Sequence, residues 1–226
     1  MSEFPISPRN RVRRLPERAA YDHDAVFAVL DGALVAYVGY VVEGQPFVTP
    51  TSFWREGTRL YWHGSVASRM HKAQAGGLPV CVTVTHLDGL VLARSAFNHS
   101  LNYRSAMVFG TARALPEAEK AAALAAFMER LCPGRSAQAR PGSAAELKQT
   151  TVMVMDIEEA VVKTRSGGPH DDPGDLDLPV WAGVVPLTLQ IGPVEQDGPH
   201  KPDLPGLEPW EKVAGQAFDQ VLKGLP

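Results

Sequence analysis

Three apolar, strand-like segments follow one another between residues 33 and 64 with only short turns between them. The segments are ALVAYVGYVV (33–42), FVTPTSFW (47–54) and RLYWHG (59–64), separated by EGQP and REGT. Parallel strands need a crossover connection of a dozen residues or more, whereas antiparallel neighbours can be joined by a tight turn. This part of the chain is therefore predicted to be an antiparallel meander.

The rest of the chain supplies further strand-like segments, separated by predicted helices. The segments are PVCVTVTH (79–86), GLVLARSA (89–96), YRSAMVFGTARAL (103–115), TVMVMDIEEAVVKTR (151–165) and WAGVVPLTLQI (181–191). Because several of them are apolar almost throughout, both sheet faces are predicted to be covered, as in the wall of a small closed or partly closed barrel. Helices are expected near 22–32, 116–131 and 144–150. The predicted fold class is mainly β, a β-barrel with flanking helices.

Length, charge and composition limit the classes of function. The chain has 226 residues, with 45% hydrophobic and 21% charged residues, as in an ordinary globular protein. A net charge of −3 argues against a general nucleic-acid or anionic-membrane binder. The N-terminus lacks an apolar signal core, and no apolar run approaches the length that spans a bilayer. A cytoplasmic protein is expected. Cys81 and Cys132 form neither a disulfide framework nor a zinc site by the usual spacing rules.

The segment LYWHGSVASRMHK (60–72) joins a strand to a predicted anion-binding helix. The strand stops at His63 and Gly64, and a helix is predicted to open at Ser65, where its first N–H groups are unpaired. Side chains at i, i+3, i+4 and i+7 would share one face of this helix. They are Ser65, Ser68, Arg69 and Lys72. This face suits a phosphate group, although the spacing also permits a serine N-cap followed by a solvated basic face.

Other motifs narrow the chemistry. No G-x-G-x-x-G or G-x-x-x-x-G-K-[ST] motif supports a Rossmann or P-loop site. Pro50 removes a backbone donor from its strand, which is typical either of a position beside a ligand or of a sheet edge. His63 and His99 are candidate proton donors, but each also has a structural interpretation, and the histidines lack the i, i+4 spacing of a helical metal site. The acidic loop 170–177 lacks the EF-hand register and is predicted to be solvated.

Three segments in this order resemble one protein family. They are GQPFVTPTSFWREGTRLYWHGSVASRMHKA (44–73), SLNYRSAMVFGTAR (100–113) and KTRSGGPHDDPGDLDLPVWAG (163–183). They resemble the flavin-binding split-barrel proteins related to pyridoxamine 5'-phosphate oxidase, in the branch that contains the nitroimidazole-resistance proteins. The resemblance covers roughly residues 10–190. It implies an FMN-binding split β-barrel that forms a homodimer with flavin sites at the subunit interface, and it leaves FAD or a deazaflavin as alternatives to FMN.

The resemblance also implies a set of cofactor-binding residues. The isoalloxazine ring and ribityl chain would be lined by Thr49, Pro50, Thr51, Ser52, His63 and Gly64. The phosphate would lie at Ser65, Ser68, Arg69 and Lys72. The pocket would be completed, from the same or the other chain, by Asn102, Tyr103, Arg104 and Trp181, although a structural role for these four residues is an open alternative. No catalytic residue is assigned and no metal is expected.

The function implied by the resemblance is that of a flavin-dependent oxidoreductase, with nitroaromatic or similar organic compounds as acceptors. Two alternatives stay open: a non-catalytic flavin-binding or flavin-sensing protein, and a haem-binding split-barrel protein with a histidine as axial ligand. Residues 1–190 are expected to form the split-barrel domain. Residues 191–226 are expected to form a proline-rich linker and an amphipathic helix, which packs on the body or on the dimer partner.

Overall fold

The computed structural model describes residues 2–198 and 207–225. The strands are β1 (Ala19–Ala20), β2 (Val35–Val42), β3 (Gln45–Glu56), β4 (Arg59–Ser65), β5 (Leu78–Leu92), β6 (Ser100–Ala114), β7 (Thr150–Asp156), β8 (Glu159–Arg165) and β9 (Gly183–Pro186). The helices are α1 (His23–Asp31), α2 (Arg69–Gln74), α3 (Glu117–Leu131), α4 (Arg135–Gln138), α5 (Ala144–Gln149), α6 (Glu208–Glu211) and α7 (Phe218–Gly224). The mainly β prediction is confirmed.

The predicted meander is present as β2, β3 and β4. The β2–β3 pairing runs to Val42 and Gln45, so the turn has only two central residues, and both have positive φ: Glu43 at 50° and Gly44 at 76°. Positive φ at both central positions gives a turn whose twist matches that of the flanking strands. The β3–β4 turn is equally tight because Glu56 pairs with Arg59. β3 and β4 are therefore longer than the apolar segments that predicted them, whereas β2 begins two residues later than its segment.

Six strands close into a barrel in the order β6, β7, β4, β3, β2, β5, with β5 pairing back to β6. The strand β6 makes this possible by changing its partner: residues 103–109 pair with β8, whereas residues 112–114 pair with β7. At the exchange point, a Cβ on Gly110 would lie 2.7 Å from Cγ of Met155 and would overlap the Asp156 carbonyl oxygen. Glycine is therefore required where the barrel splits.

Two apolar clusters hold this arrangement. The larger fills the barrel and includes Val38, Phe53, Trp62, Val82 and Val108, each 1% exposed or less. The smaller lies between the outer side of β3, β4 and β7 and helix α3, with Trp54 and Tyr61 stacked at 5.4 Å. α1 packs on the larger cluster after Asp22, whose carboxylate accepts from the Ala25 N–H at 2.8 Å, as the sequence predicted.

The structure corrects two predicted elements. Residues 78–92 form one strand with a register irregularity between Leu87 and Gly89, not two strands. The C-terminal tail contains two short helices, α6 and α7, where the apolar periodicity predicted one. Gly215, with φ at 82°, lies between them, and its N–H donates to the Ile191 carbonyl at 2.8 Å, a contact with the preceding segment that a continuous helix would lose. Part of the proline-rich segment, 199–206, lies outside the described residues.

The end of the tail contacts helices α1 and α3. Leu222 is fully buried, and its carbonyl oxygen accepts from the Arg130 guanidinium at 2.6 Å. Trp210 donates its indole N–H to the Leu131 carbonyl at 2.9 Å. The last helix therefore packs on α1 and on the end of α3. In the part of the chain that the structure describes, no helix is both long and apolar enough to cross a bilayer.

Candidate functional site

The segment 65–68 does not begin a helix, so that part of the prediction is wrong. β4 continues to Ser65, which pairs with Thr150 of β7, and α2 begins only at Arg69. The N–H groups of Val66, Ala67 and Ser68 are already bonded, to the Gln149 carbonyl at 3.1 Å, the Ser65 hydroxyl at 3.1 Å and the Ser65 carbonyl at 2.9 Å. Pairing with β7, which is distant in sequence, extends the strand by one residue. The Gln149 carbonyl and Ser65 itself take up the backbone donors that were expected to bind an anion.

The side chains of this segment keep their binding capacity. Ser68 precedes α2 as its N-cap, and its hydroxyl makes no capping hydrogen bond. The Arg69 guanidinium lies 4.6 Å from the centroid of the Phe47 ring, as in a cation–π contact. Among the described residues neither Arg69 nor Lys72 forms an ion pair, and Lys72 is exposed. A hydroxyl and two cations are therefore available to an anion.

One edge of β3 is open beside these cations. The β3–β4 pairing begins only at Phe53 and Trp62, so residues 45–52 of β3 pair with β2 alone. β4 meanwhile diverges to pair with β7 through His63, Gly64 and Ser65. The predicted residues 49–52 and 63–65 therefore lie along the two edges that separate here. The free backbone groups of the β3 edge can serve as donors and acceptors for a planar polar ligand.

Within this edge the predicted side chains have different roles. The hydroxyls of Thr49 and Tyr40 lie 3.3 Å apart, and the Thr51 hydroxyl donates to the Ser52 carbonyl at 3.3 Å. Pro50 lies opposite Tyr37 of β2 and is exposed. Pro50, which has no backbone N–H, therefore lies on a strand that has one unpaired edge. Phe47, which supports Arg69, was not identified from the sequence, because nothing local indicates a contact across 22 residues.

Two histidines near this opening are shielded from solvent: His63 is half-buried and His71 is buried. The His63 ring packs against Phe127 at 4.8 Å and Trp54 at 6.1 Å, and its Nδ1 has no hydrogen-bond partner among the described residues. Burial lowers the pKa of His63 below 6.5. His71 is 4% exposed, and neither ring nitrogen makes a hydrogen bond of good geometry. Burial is also the main cause that lowers its pKa; a Ser65 backbone group opposes the effect, and His63 adds to it.

His71 also explains Gly64. A Cβ at position 64 would overlap the imidazole ring and would lie 3.1 Å from Nδ1. The glycine therefore allows α2 to approach β4 closely, with His71 between them.

The other predicted pocket residues are already used by the protein. The Asn102 side chain is buried, donates to the Gly167 carbonyl at 3.1 Å and accepts from Arg165 at 2.5 Å. Arg104 donates to both carboxylate oxygens of Asp88, at 2.9 and 2.7 Å, and forms an ion pair with Asp219 at 3.0 Å.

Tyr103 and Trp181 complete this second group. Tyr103 is half-buried and lies opposite Leu87, whereas Trp181 is 64% exposed with its ring 2.9 Å from where a Cβ of Gly183 would stand. No hydrogen bond or ion pair between described residues joins Asn102, Tyr103, Arg104 or Trp181 to Arg69, Lys72 or residues 49–52. The structure thus divides the predicted residues into two groups.

The loop 94–99 orients one more histidine. The Nδ1 atom of His99 lies 2.9 Å from the Ser95 carbonyl, and the side chain is exposed. The same loop is fixed by Asp171, which accepts from the Arg94 N–H at 2.9 Å and from its guanidinium at 2.8 Å. Burial raises the pKa of Asp171, but the hydrogen bonds from Arg94 outweigh it and leave the pKa below its ordinary value. The prediction of a solvated acidic loop is wrong at this residue.

The pyridoxamine 5'-phosphate oxidase family model matches residues 22–164, more than half of the chain. The chain belongs to the pyridoxamine 5'-phosphate oxidase family. A structure of the flavocytochrome Anf3 from Azotobacter vinelandii is 44% identical, with a TM-score of 0.86, and the match covers 93% of this chain and 98% of that one. The FAD and haem binding protein from Mycobacterium smegmatis is 36% identical, with a TM-score of 0.81, covering 88% and 98%.

A third solved structure supports the fold. A putative 5-nitroimidazole antibiotic resistance protein from Bacteroides thetaiotaomicron is 22% identical over 64% of this chain and 85% of its own, with a TM-score of 0.50. No functionally curated protein shows significant similarity to the chain. The flavin-binding split-barrel fold expected of the pyridoxamine 5'-phosphate oxidase family is therefore confirmed.

Proposed function

We propose that this chain is a redox protein that binds both a flavin nucleotide and a haem. The observation that carries the proposal is the similarity over nearly the whole length to two proteins described as a flavocytochrome and as an FAD and haem binding protein. When bound, a flavin accepts and donates one or two electrons and a haem iron exchanges one. What this chain contributes is the position and the electrostatic environment of each group.

The residues present fit a flavin at the opening between β3 and β4. Arg69 and Lys72 are cations without an ion pair among the described residues, and the Ser68 hydroxyl is free of a cap bond, so together they would hold the phosphate. The free edge of β3 at residues 49–52 would hold the polar rim of the ring. FMN is the flavin expected from the sequence, and FAD is the flavin named for one relative. Mass analysis of the released cofactor decides between them.

The flavin proposal is tested by removing the phosphate contacts. We expect Ser68→Ala with Arg69→Ala to weaken flavin affinity by tenfold or more, because a charge-assisted hydrogen bond contributes about 1.5–3 kcal/mol. Arg135→Ala is the matched control, since among the described residues the Arg135 guanidinium bonds to Gln138, three residues away, at 3.2 Å. Affinity is measured by flavin fluorescence quenching. Unchanged affinity in the double variant contradicts the assignment.

The residues present also fit a haem ligand, and His99 is the best candidate. An axial histidine usually donates its Nδ1–H to a carbonyl or carboxylate and binds the metal through Nε2. His99 has its Nδ1 beside the Ser95 carbonyl and is exposed. His86 instead has Nε2 at 2.9 Å from the Val29 carbonyl, and His71 lies under Gly64 without room for a porphyrin. Phe97, 89% exposed on the same loop, supplies apolar surface beside it.

Haem binding has its own test. We expect the purified protein, supplied with haemin, to give a Soret band that His99→Ala shifts or removes. His170→Ala is the control, because His170 is also exposed and lies on the acidic loop. A Soret band unaffected by His99→Ala but lost in His71→Ala would assign the ligand to the buried histidine. If no Soret band appears, the haem part of the proposal is contradicted and only the flavin part stands.

Catalysis is a separate question. If the protein is an oxidoreductase, its bound flavin should be reduced by NADH or NADPH, and the protein should turn over an organic acceptor such as a nitroaromatic compound. His63 is half-buried beside the opening, but burial lowers its pKa and so disfavours the protonated form that a proton donor needs. Reduction without turnover of any acceptor would instead favour a binding or sensing role.

A further inference from the structure

A second opening is lined by neither Arg69 nor Lys72 nor any residue of the open β3 edge. It is a cavity of about 760 Å³ between the loop before β2, the middle of β5, the segment after β9 and the start of α7. Small-molecule sites in proteins usually have volumes of about 300–1,000 Å³. Two of its four walls, residues 187–189 and 217–220, lie beyond the residues that match the family model. The cavity is therefore built by the tail as much as by the barrel.

The charges around this cavity cancel. Arg104 lies in its wall, and its Nε and both terminal nitrogens contact carboxylate oxygens of Asp88 and Asp219. Lys223 forms a further ion pair with Asp219 at 3.3 Å. Two cations thus face two carboxylates, and no lining cation among the described residues is left for a phosphate, a carboxylate or a sulfonate. An anion entering here would meet the two carboxylates without a free partner.

The remaining surface of the cavity is mainly apolar and accessible. Leu87 is 48% exposed, Leu187 37% and Leu189 71%, and all three line the cavity together with Phe218. Exposed apolar side chains that converge on one concavity release water when an apolar molecule covers them. Gly32 permits the tail and His86 to approach this wall of the cavity closely, because a Cβ at position 32 would lie 3.1–3.3 Å from side-chain atoms of Lys223, His86 and Asp219.

We propose that this cavity binds a neutral, mainly apolar organic molecule of two or three rings, at a site separate from the phosphate-binding side chains of Arg69 and Lys72. Volume, apolar walls and cancelled charge all select such a ligand over an anionic one. The proposal goes beyond flavin and haem binding and does not depend on either.

The test uses two probes with one ring framework. N-phenyl-1-naphthylamine is neutral, and 1-anilinonaphthalene-8-sulfonate is the same molecule with a sulfonate group. With the purified full-length protein carrying its bound cofactor, the neutral probe should bind saturably at one site per chain, roughly tenfold more tightly than the sulfonate, a difference of about 1.4 kcal/mol. Asp88→Asn should reduce this preference, because it leaves part of the Arg104 charge uncompensated.

Substitutions locate the site. Gln220→Trp and Thr188→Trp fill the cavity from two of its walls, and both should weaken binding of the neutral probe by about tenfold or more. Gln216→Trp is the matched control, because Gln216 is equally exposed on the same tail but does not line the cavity. Cofactor absorbance is recorded for each variant, so loss of the flavin is distinguished from loss of probe binding.

Three results would overturn the proposal. The first is that the neutral probe does not bind saturably, which is the result expected if a cofactor or a second copy of the chain fills the cavity. The second is equal affinity for the sulfonate in the unmodified protein. The third is a loss of binding in Gln216→Trp as large as in Gln220→Trp.

Discussion

The lowered pKa values of His63 and His71 link individual residues to stability. Both pKa values lie below the ordinary 6.5 because of burial, so below that pH the unfolded chain takes up protons that the folded chain resists. The unfolded state then binds more protons, and the free energy of unfolding falls as the pH falls from 6.5 toward the folded-state pKa values. Above 6.5 the two groups contribute a constant amount.

We therefore expect urea unfolding to show lower stability at about pH 5.5 than at about pH 7.5, by up to ~1.4 kcal/mol per pH unit for each histidine. His71→Leu should reduce this change of the free energy of unfolding with pH, whatever its effect on stability at the higher pH. His99→Gln, on an exposed side chain, should keep the slope. An unchanged slope in His71→Leu would contradict the assignment of the effect to the buried ring.

Residue by residue, the candidate site was only partly predictable. Arg69 and Lys72 were identified because cations at this spacing suit a phosphate, and the structure leaves both without an ion pair among the described residues. Arg104 was expected near a flavin, yet its guanidinium is occupied by Asp88 and Asp219. Those partners lie 16 and 115 residues away in the chain, so no local pattern indicated that the charge was already compensated.

Among the elements, β6 decides how the barrel closes. Its pairing partner changes from β8 to β7 near Gly110, where any Cβ would collide with Met155 and the Asp156 carbonyl. We expect Gly110→Ala to lower the free energy of unfolding by about 1–3 kcal/mol or more, as overpacking does, and thermal or urea unfolding measures it. Gly39→Ala is the control, because its Cβ would meet the Cys81 carbonyl at an ordinary 3.5 Å. Equal effects of the two substitutions would contradict this role of Gly110.

The starts and ends of elements were the least predictable from the sequence. The helix expected from Ser65 begins at Arg69, because β4 gains ladder bonds to β7 through Ser65. The amphipathic helix expected within residues 191–226 is interrupted at Gly215, whose N–H donates to the Ile191 carbonyl. In both places a partner distant in sequence offers backbone hydrogen bonds that compete with the local helical preference.

At the scale of the whole molecule, the outer face of β2 and β3 bears exposed apolar side chains. Tyr37 is 51% exposed, Val41 54% and Val48 67%, and they lie beside the open edge proposed for the flavin. Contiguous exposed apolar surface of this kind is typical of an interface between subunits. We propose that two copies of the chain meet here, as the resemblance implies.

The expected mass in solution is therefore twice 24.4 kDa. Light scattering after gel filtration should give this mass for the unmodified protein and 24.4 kDa for Tyr37→Glu with Val48→Glu, because two buried carboxylates oppose association. Ile6→Glu, at an exposed apolar residue of the N-terminal segment, should leave the mass unchanged. A monomer for the unmodified protein would contradict the proposed interface.

The sequence by itself determined the antiparallel meander, the mainly β class, the family and the basic side chains of the phosphate-binding segment. These follow from turn length, apolar patterning and motif order, which are local properties of the chain. Only the tertiary structure decided where β4 ends, that residues 45–52 keep a free edge, that His71 lies beneath Gly64, and that Arg104 is neutralised in a cavity closed by the tail. Each depends on backbone pairing or charge compensation between residues far apart in the chain, which no local pattern records.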